Sequence, residues 1–284
     1  MIGRATRGVQ SLQQRRYNST VIRIRSPSFE DFKSNILKNQ KDSEPVIITD
    51  KLSDWPAVSK WKDLRSLMNQ YGDAMVPVEI GGSYAHNPEF TQDLMSFRDF
   101  INTFLLKDSE SIQNFQNERG LNTLPKGYLA QHTLFQTVTL ALPSSLTMIS
   151  QIPQMASDIK IPEYVRAGGG MLMVNGWLGP AGTVSPLHKD PYHNLFAQVV
   201  GRKYMRLYPP SEMKKLYPFN NFSTLRNTSR VEDPENHDET RYPLFAEAKY
   251  VECTVEEGEL LFVPKGWWHH VRSLDVSFSV SFWW

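Results

Sequence analysis

The part of this chain that most limits its possible folds runs from about residue 170 to the C-terminus. Short runs rich in β-branched and aromatic residues alternate there with Gly and Pro, and they read MLMVNGWLG, NLFAQVV, KYMRLYP, ELLFVP, HHVRSL and VSFSVSFWW. Many short strands separated by turns are typical of antiparallel barrels. The pattern predicts a mainly β protein whose core, residues 170–284, is a double-stranded β-helix, the jelly-roll barrel.

The preceding part, residues 22–127, mixes helical and strand patterns. Ser28 followed by Asp31 resembles a capping box and marks a helix start. Apolar residues at helical spacing predict helices at about 29–38, 64–71 and 97–105, and the runs PVIIT and VPVEI predict strands. The polar, aperiodic segment 107–127 is predicted to be a surface loop. We expect these elements to form an α/β extension of one domain, residues 22–284.

The composition excludes several classes of function. The 284 residues carry a formal net charge of +1, so no general basic field supports a nucleic-acid partner. Cys253 is the only cysteine, which excludes an intramolecular disulfide and thiolate zinc clusters and fits a reducing compartment. Any bound metal must be held by His and carboxylate. No run approaches the ~20 apolar residues that cross a bilayer, and we expect a soluble protein.

The first 17 residues resemble a mitochondrial presequence. They contain no acidic residue, and their arginines are Arg4, Arg7, Arg15 and Arg16. Their apolar residues recur at helical spacing, as in an amphipathic targeting helix. We expect residues 1–17 to direct the protein to the mitochondrial matrix. The alternative is a disordered basic tail on a nuclear or cytoplasmic protein.

Candidate metal ligands begin with the triplet His188-Lys189-Asp190. On an extended strand, residues two apart point the same way, so an imidazole and a carboxylate could share one ion. The triplet alone is weak, because an H-x-D/E pattern occurs by chance nearly once in a chain of this composition. A third ligand could come from His269 or His270, between two strong strand patterns. Two histidines and a carboxylate are the ligands of non-haem iron(II) oxygenases and leave three coordination positions open.

The open positions call for a co-substrate, and Lys203 is the candidate to anchor it. A dicarboxylate that chelates iron through its keto acid end leaves its far carboxylate to be neutralised by a cation. Lys203 lies 15 residues after His188, one strand and a turn later. Ser185 and Asn194 could hydrogen-bond the same ligand. The alternative is that Lys203 is an ordinary solvated lysine on a strand.

Several long motifs, in order, resemble the JmjC hydroxylase family, whose core is cupin-like. They are WPAVSKW, GYLAQH, GWLGPAGTVSPLHKDPYHNLFAQVVGRKYMRLYPP and EEGELLFVPKGWWHHVRSLDVSFSVSFWW. The resemblance runs from about residue 22 to Trp284. It implies a metal triad of His188, Asp190 and His269, and it selects His269 over His270 because the family places the ligand directly after the residue matched by Trp268.

The same resemblance implies the remaining site residues. Contacts to 2-oxoglutarate are implied for Tyr128, Ser185, Asn194 and Lys203. Trp177 is implied as a wall of the pocket, although Trp177 and Tyr128 could instead be core aromatics. Glu79 and Tyr84 are implied as contacts to the target side chain, since a carboxylate and an aromatic face suit a cationic arginine or lysine.

The function implied by the resemblance is that of a dioxygenase using iron(II), 2-oxoglutarate and dioxygen. Its substrate would be a protein or peptide, hydroxylated on a side chain such as arginine or demethylated at an N-methyl group. One alternative is a hydroxylase of a tRNA base with the same fold, because fold does not fix substrate. Another is a catalytically silent cupin-like module that binds proteins. We expect a monomer.

Overall fold

The computed structural model describes residues 19–38, 42–132, 134–135, 152–168 and 172–284. The predicted leader, residues 1–17, and the segment around 137–151 lie outside the described residues. The described strands are β1 Ser19–Thr20, β2 Arg23–Arg25, β3 Val46–Thr49, β4 Met75–Ile80, β5 Thr91–Ser96, β6 Gly127–His132, β7 Met173–Gly179, β8 Val184–Lys189, β9 Asn194–Val200, β10 Lys203–Tyr208, β11 Val251–Val255, β12 Leu260–Val263, β13 Trp268–Ser273 and β14 Ser277–Trp283.

The strands form two sheets that face each other. The smaller sheet has the order β1-β11-β10-β13-β8, and the larger has the order β2-β3-β12-β9-β14-β7-β6-β4-β5. Side chains of both sheets meet in one buried apolar cluster: Met205, Leu207 and Val271 come from the smaller sheet, and Phe196 and Leu261 from the larger. The predicted mainly β fold with a jelly-roll core is confirmed.

The side chains of strand β14 alternate between two layers of the protein, the helix side of the larger sheet and the barrel interior. Ser277, Ser279 and Ser281 alternate with Phe278 and Val280, and the whole strand is buried. The apolar side chains join the cluster between the larger sheet and the helices. The serines therefore point the other way, into the barrel, because successive strand side chains face opposite sides. Their small size leaves room for a cavity.

The helices lie mainly in the N-terminal part: α1 Phe29–Asp31, α2 Ala57–Lys60, α3 Leu64–Tyr71, α4 Phe97–Phe100 and α5 Ser109–Arg119. The Ser28 hydroxyl accepts a hydrogen bond from the Asp31 N–H, as the capping pattern predicts. Helices α1 and α4 continue as π-helical turns, Phe32–Leu37 and Ile101–Leu106. In the part of the chain described, no helix has the length and apolar character needed to span a bilayer.

The prediction of a loop over residues 107–127 is wrong, because α5 occupies its first half. Asp108 caps the helix by accepting from the Ser111 N–H, and Gly120 ends it in the left-handed conformation at a φ of 63°. Phe115 is its one buried residue, packed edge-on against Phe104. A helix that buries a single side chain has no apolar stripe, so hydrophobic periodicity could not reveal it.

A third apolar cluster covers the outer face of the smaller sheet. Leu187, Tyr208 and Trp268 point outward from β8, β10 and β13 and pack against residues of the connection between β10 and β11, such as Leu216 and Phe245. At this end the smaller sheet is thus buried on both faces, whereas the outward-facing Tyr204, Arg206 and Thr254 are partly exposed. Its inner face is left to line the barrel interior, and that interior holds the candidate site.

Candidate metal centre

A β-bulge between β8 and β13 aims the first candidate ligand. His188 and His269 stand directly opposite each other, but farther along the pair Ser185 lies opposite Val271. The interval of three residues from Ser185 to His188 on β8 therefore pairs with an interval of two residues, from His269 to Val271, on β13. The extra residue lets both Ser185 and His188 face the barrel interior, although a spacing of three would separate them on a regular strand. Pro186, within the bulge, has no N–H to leave unpaired.

Asp190 follows β8 directly and completes the group. Its Oδ1 lies 3.8 Å from His188 Nε2, and its Oδ2 lies 3.6 Å from His269 Nε2. One ligand atom from each residue lies within 4.8 Å of the other two. No other group of three or more His, Cys, Asp or Glu side chains comes this close in the part of the chain that the structure describes. The sequence prediction selected these three residues, and the fold brings them together.

Main-chain carbonyls orient both imidazoles. His188 Nδ1 lies 2.7 Å from the Pro186 oxygen, and His269 Nδ1 lies 3.1 Å from the Trp267 oxygen. Because a carbonyl can only accept, Nδ1 carries the proton and the Nε2 lone pair faces the centre. Burial, reinforced by the neighbouring His188, lowers the pKa of His269 to about 4. The neutral, metal-binding form of this ring therefore persists at neutral pH.

The donor set fits iron(II). Asp190 Oδ2 is buried and receives no hydrogen bond from any residue that the structure describes, which is costly unless a cation neutralises it. Two imidazole nitrogens and one carboxylate are the ligands of non-haem iron(II) oxygenases, in which three adjacent positions stay open. Three protein ligands do not make a structural zinc site, which closes a tetrahedron with four, whereas catalytic zinc sites hold one water beside three.

The neighbouring histidine, His270, cannot replace His269. It points to the opposite face of β13, where its Nε2 lies 3.4 Å from the Glu235 carboxylate. Arg272, two residues along on that same face, binds Glu235 through both of its oxygens at 2.7 and 2.8 Å. The period of two along β13 therefore decides between the two histidines, which the sequence pattern alone left open.

Lys203 is a buried cation without a counter-charge. Only 1% of its surface is exposed, and its Nζ donates to the Tyr128 hydroxyl at 3.1 Å. The same Nζ lies 5.4 Å from the Tyr128 ring centre and 5.3 Å from that of Phe196. No carboxylate among the described residues pairs with it, and burial lowers its pKa to about 7. A buried ammonium of this kind fits an acidic ligand that supplies the missing charge.

The other residues expected to touch the co-substrate line the same cavity. Ser185 lies beside the Tyr128 phenol on the cavity wall. Asn194 is 6% exposed, and its buried Oδ1 has no hydrogen-bond partner among the described residues. The Trp177 indole N–H donates to the Ser281 hydroxyl at 2.9 Å, which fixes the ring as one wall. Polar atoms left unsatisfied around a cavity are consistent with a missing polar ligand.

The cavity has further lining residues that the sequence reasoning missed: Phe196, Met205, Val263, Val271, Ser281 and Trp283. Strand alternation could have found some of these residues. Met205 lies two residues beyond Lys203, and Val271 lies two beyond His269, so both follow their neighbours into the barrel.

The two residues implied for the target side chain lie beside this cavity. Glu79 pairs with Tyr128 across β4 and β6, and burial raises its pKa to about 7. The Tyr84 hydroxyl lies 3.5 Å from Thr228 Oγ1. Burial raises the pKa of Tyr84, and the negative charges of Asp190 and Glu79 contribute to the shift. Tyr84 is thus close to both the metal ligands and Glu79.

Comparisons with known proteins agree with the motifs, which resemble JmjC domain-containing protein 5, also called lysine-specific demethylase 8. Residues 30–284 match the family of cupin-like domains. Lysine-specific demethylase 8 of Xenopus tropicalis is 40% identical over 269 residues, which cover 94% of this chain and 53% of that protein. Jumonji C domain-containing protein 5 of Drosophila melanogaster is 37% identical, with 94% and 60% covered.

A more distant relative is the human bifunctional peptidase and (3S)-lysyl hydroxylase JMJD7, which is 29% identical over 265 residues, covering 85% of this chain and 77% of that protein. The chain spans 53% and 60% of the two more similar relatives. The family resemblance expected from the sequence is confirmed. This chain belongs to the cupin-like family of JmjC domain proteins.

Proposed function

We propose that this chain is an iron(II)- and 2-oxoglutarate-dependent dioxygenase that oxidises a side chain of a protein substrate, with arginine as the preferred target. One observation carries the proposal. The three-ligand group of His188, Asp190 and His269 shares a cavity with Lys203, a buried cation that has no anionic partner in the described chain. A metal with open positions and a bound dicarboxylate would satisfy both at once.

Each residue has a defined task in this proposal. His188, His269 and Asp190 hold the iron, and the carbonyls of Pro186 and Trp267 keep both imidazoles turned toward it. Iron(II) with 2-oxoglutarate and dioxygen supplies an oxidant that converts an aliphatic C–H bond into C–OH, while 2-oxoglutarate becomes succinate and carbon dioxide.

The rest of the cavity binds and orients the co-substrate. Lys203 neutralises its far carboxylate, and the Tyr128 hydroxyl holds the ammonium by accepting a hydrogen bond from it. Asn194 and Ser185 add hydrogen bonds to the acid. Apolar walls such as Trp177 exclude water, which strengthens these electrostatic contacts.

Glu79 and Tyr84 support a cationic target. A carboxylate and an aromatic hydroxyl beside the cavity suit the guanidinium of arginine, which presents several N–H donors. Hydroxylation and N-demethylation begin with the same C–H oxidation, because a hydroxyl placed on an N-methyl carbon leaves as formaldehyde. The relatives' names include a lysine demethylase and a lysyl hydroxylase, so both outcomes belong in the test.

The test uses the full chain loaded with iron(II) and 2-oxoglutarate under nitrogen, then mixed with oxygenated buffer and a peptide library containing arginine, lysine and their N-methyl forms. We expect succinate and a peptide heavier by one oxygen atom, or formaldehyde and loss of a methyl group. His269→Ala should abolish both products, whereas His270→Ala should retain them. Equal succinate formation by wild type and His269→Ala would refute the proposal.

We also propose that residues 1–17 send the protein to the mitochondrial matrix and that residues 22–284 act as one monomeric catalytic domain. The four arginines of residues 1–17 and the absence of acidic residues among them support the mitochondrial proposal. A fusion of residues 1–17 to a fluorescent protein should enter mitochondria, and replacement of the four arginines by glutamine should leave it in the cytoplasm or nucleus.

Light scattering of residues 22–284 should give the mass of one chain. A measured mass of two chains would contradict the proposed monomer.

A further inference from the structure

A positively charged groove opens beside the metal centre. Three segments form it, residues 189–191, 224–227 and 265–266, and we call it the basic groove. Asp190 borders both this groove and the cavity that holds the candidate metal ligands. A chain lying in the basic groove would therefore pass within reach of the metal centre.

Hydrogen bonds between the three segments fix the shape of the basic groove. The Gly266 N–H donates to the main-chain carbonyl oxygen of Asp190 at 3.0 Å, and the Lys189 N–H donates to the main-chain carbonyl oxygen of Asn227 at 2.9 Å. The Asn227 side-chain amide donates back to the Lys189 oxygen at 3.2 Å. The groove is thus preformed, which lowers the entropic cost of binding an extended ligand.

A tight turn presents one of its cations. The Trp267 N–H donates to the Pro264 oxygen at 3.1 Å, and Gly266 has a φ of 81°. A positive φ at the third residue is the mark of a type II turn, in which Gly avoids the strain of a side chain. Lys265 occupies the corner of this turn, where its side chain is exposed.

The positive charge of the basic groove is uncompensated. Arg226 and Lys265 are exposed, and neither pairs with a carboxylate of any described residue. Lys189 also borders the groove; its Nζ lies 5.2 Å from the Trp268 ring centre, and it too has no acidic partner in the described ranges. The groove's own carboxylate, Asp190, faces the two imidazoles instead.

The positive surface continues away from the metal centre. Pro191 and Lys265 also border a neighbouring hollow that contains Lys33 and Lys38, both exposed, together with one acidic side chain, Asp42. Several cations of one sign along a continuous concave surface raise the local concentration of an anionic ligand and steer its approach.

We propose that the basic groove binds an acidic segment of the protein substrate, next in sequence to the residue whose side chain enters the cavity. The inference rests on the proposed function, because it assigns the flanking sequence of that same substrate. Glu79 would take the cationic target residue, and Arg226 and Lys265 would take Asp or Glu side chains beside it. The recognised sequence is then a basic residue flanked by an acidic run.

A protein ligand fits this surface better than RNA does. The whole chain has a net charge of only +1, and four of its arginines lie in residues 1–17. RNA binding relies on neutralising many phosphates and is usual for strongly basic domains. A few unpaired cations in a narrow groove suit a short acidic peptide instead.

The test compares three fluorescein-labelled probes: a decapeptide of alternating Glu and Gly, the same peptide with Gln for Glu, and a ten-nucleotide single-stranded RNA. Each is titrated with the full chain, loaded with iron(II) and 2-oxoglutarate under nitrogen, while fluorescence anisotropy is recorded. We expect the Glu peptide to bind about tenfold more tightly than the Gln peptide and to weaken as salt is added. Equal affinity for both peptides, or tighter binding of RNA, would overturn the proposal.

Two double variants locate the effect. Arg226→Glu combined with Lys265→Glu should remove the preference for the Glu peptide, and both sites are exposed, so the fold should be retained. Arg65→Glu combined with Lys107→Glu makes the same change in net charge at exposed sites outside the basic groove and should keep the preference. An equal loss in both variants would mean that net charge, not the groove, binds the peptide.

Adding dioxygen and the peptide library that contains arginine, lysine and their N-methyl forms to the same samples separates this inference from the proposed function. Preference for the Glu peptide without succinate formation by the wild type would contradict the oxygenase and leave the groove assignment standing. Succinate formation without any such preference would contradict the groove assignment alone.

Discussion

His188 and His269 face each other across adjacent antiparallel strands, with ring centres 4.3 Å apart and each Nδ1 directed at a main-chain carbonyl two residues earlier. The strand register alone sets this relationship, so no loop has to close to form the pair. Sites built on regular strands hold their geometry more tightly than sites on loops. The metal centre is therefore expected to exist before the metal binds.

Replacing each of the two adjacent histidines should have opposite consequences for metal binding. His269→Ala removes a ligand and should weaken iron(II) binding at least about a hundredfold, because only His188 and Asp190 remain. His270→Ala should bind iron(II) with wild-type affinity, since its side chain lies on the other face beside Glu235. Anaerobic titration with calorimetric detection measures both. Equal losses would mean that the ligand has been assigned to the wrong histidine.

Lys203→Met should weaken 2-oxoglutarate binding and stabilise the ligand-free protein. The variant keeps most of the length of the side chain and removes a buried charge that has no carboxylate partner among the described residues. We expect the Kd for 2-oxoglutarate to rise at least about thirtyfold, and unfolding to cost about 1–3 kcal/mol more without ligand. Calorimetry and chemical denaturation measure these values. An unchanged Kd would exclude Lys203 as the anchor.

The affinity for 2-oxoglutarate should fall as the pH rises above 7. Burial lowers the pKa of free Lys203 to about 7, so above that pH the ligand-free protein holds a neutral amine. The bound carboxylate requires the ammonium form, and binding must then take up a proton, which costs up to about tenfold in affinity per pH unit. Below pH 7 the amine is already charged and the affinity should level off. A flat profile between pH 6 and 9 would contradict this anchor.

Glu79→Gln should raise the KM for a cationic peptide substrate about tenfold while leaving the affinity for 2-oxoglutarate unchanged. The amide has the shape of the carboxylate but no charge to pair with arginine or lysine. Because burial raises the pKa of Glu79 to about 7, substrate affinity in the wild type should increase as pH rises through 7, and the variant should lose this dependence. A variant with the wild-type KM would remove Glu79 from the substrate site.

The sequence predicted the barrel from strand patterns and the pair His188 and Asp190 from its spacing, whereas only the family resemblance selected His269 over His270. Apolar residues alternate with serines along β14, so its apolar side chains face the helices and its serines face the cavity. The sequence VSFSVSFWW shows this alternation directly. His188 and Asp190 are two residues apart, so their shared direction follows from strand geometry.

Features that depend on contacts between distant segments were not predictable in the same way. The bulge that lets Ser185 and His188 share a face arises from the pairing of β8 with β13, which are far apart in sequence. Helix α5 carries its signals in the caps, Asp108 and Gly120, and not in an apolar stripe. The pairing of Glu79 with Tyr128 likewise needed the register of β4 and β6.

The central claim is that one iron(II), held by His188, Asp190 and His269, shares its cavity with a 2-oxoglutarate anchored by Lys203. The most direct measurement is anaerobic addition of 2-oxoglutarate to the iron-loaded chain while the visible charge-transfer absorption of the chelate is recorded. The account predicts a band that saturates at one 2-oxoglutarate per chain, is absent in His269→Ala, and requires a much higher concentration in Lys203→Met. A band of full intensity in His269→Ala, or none in the wild type, would contradict it.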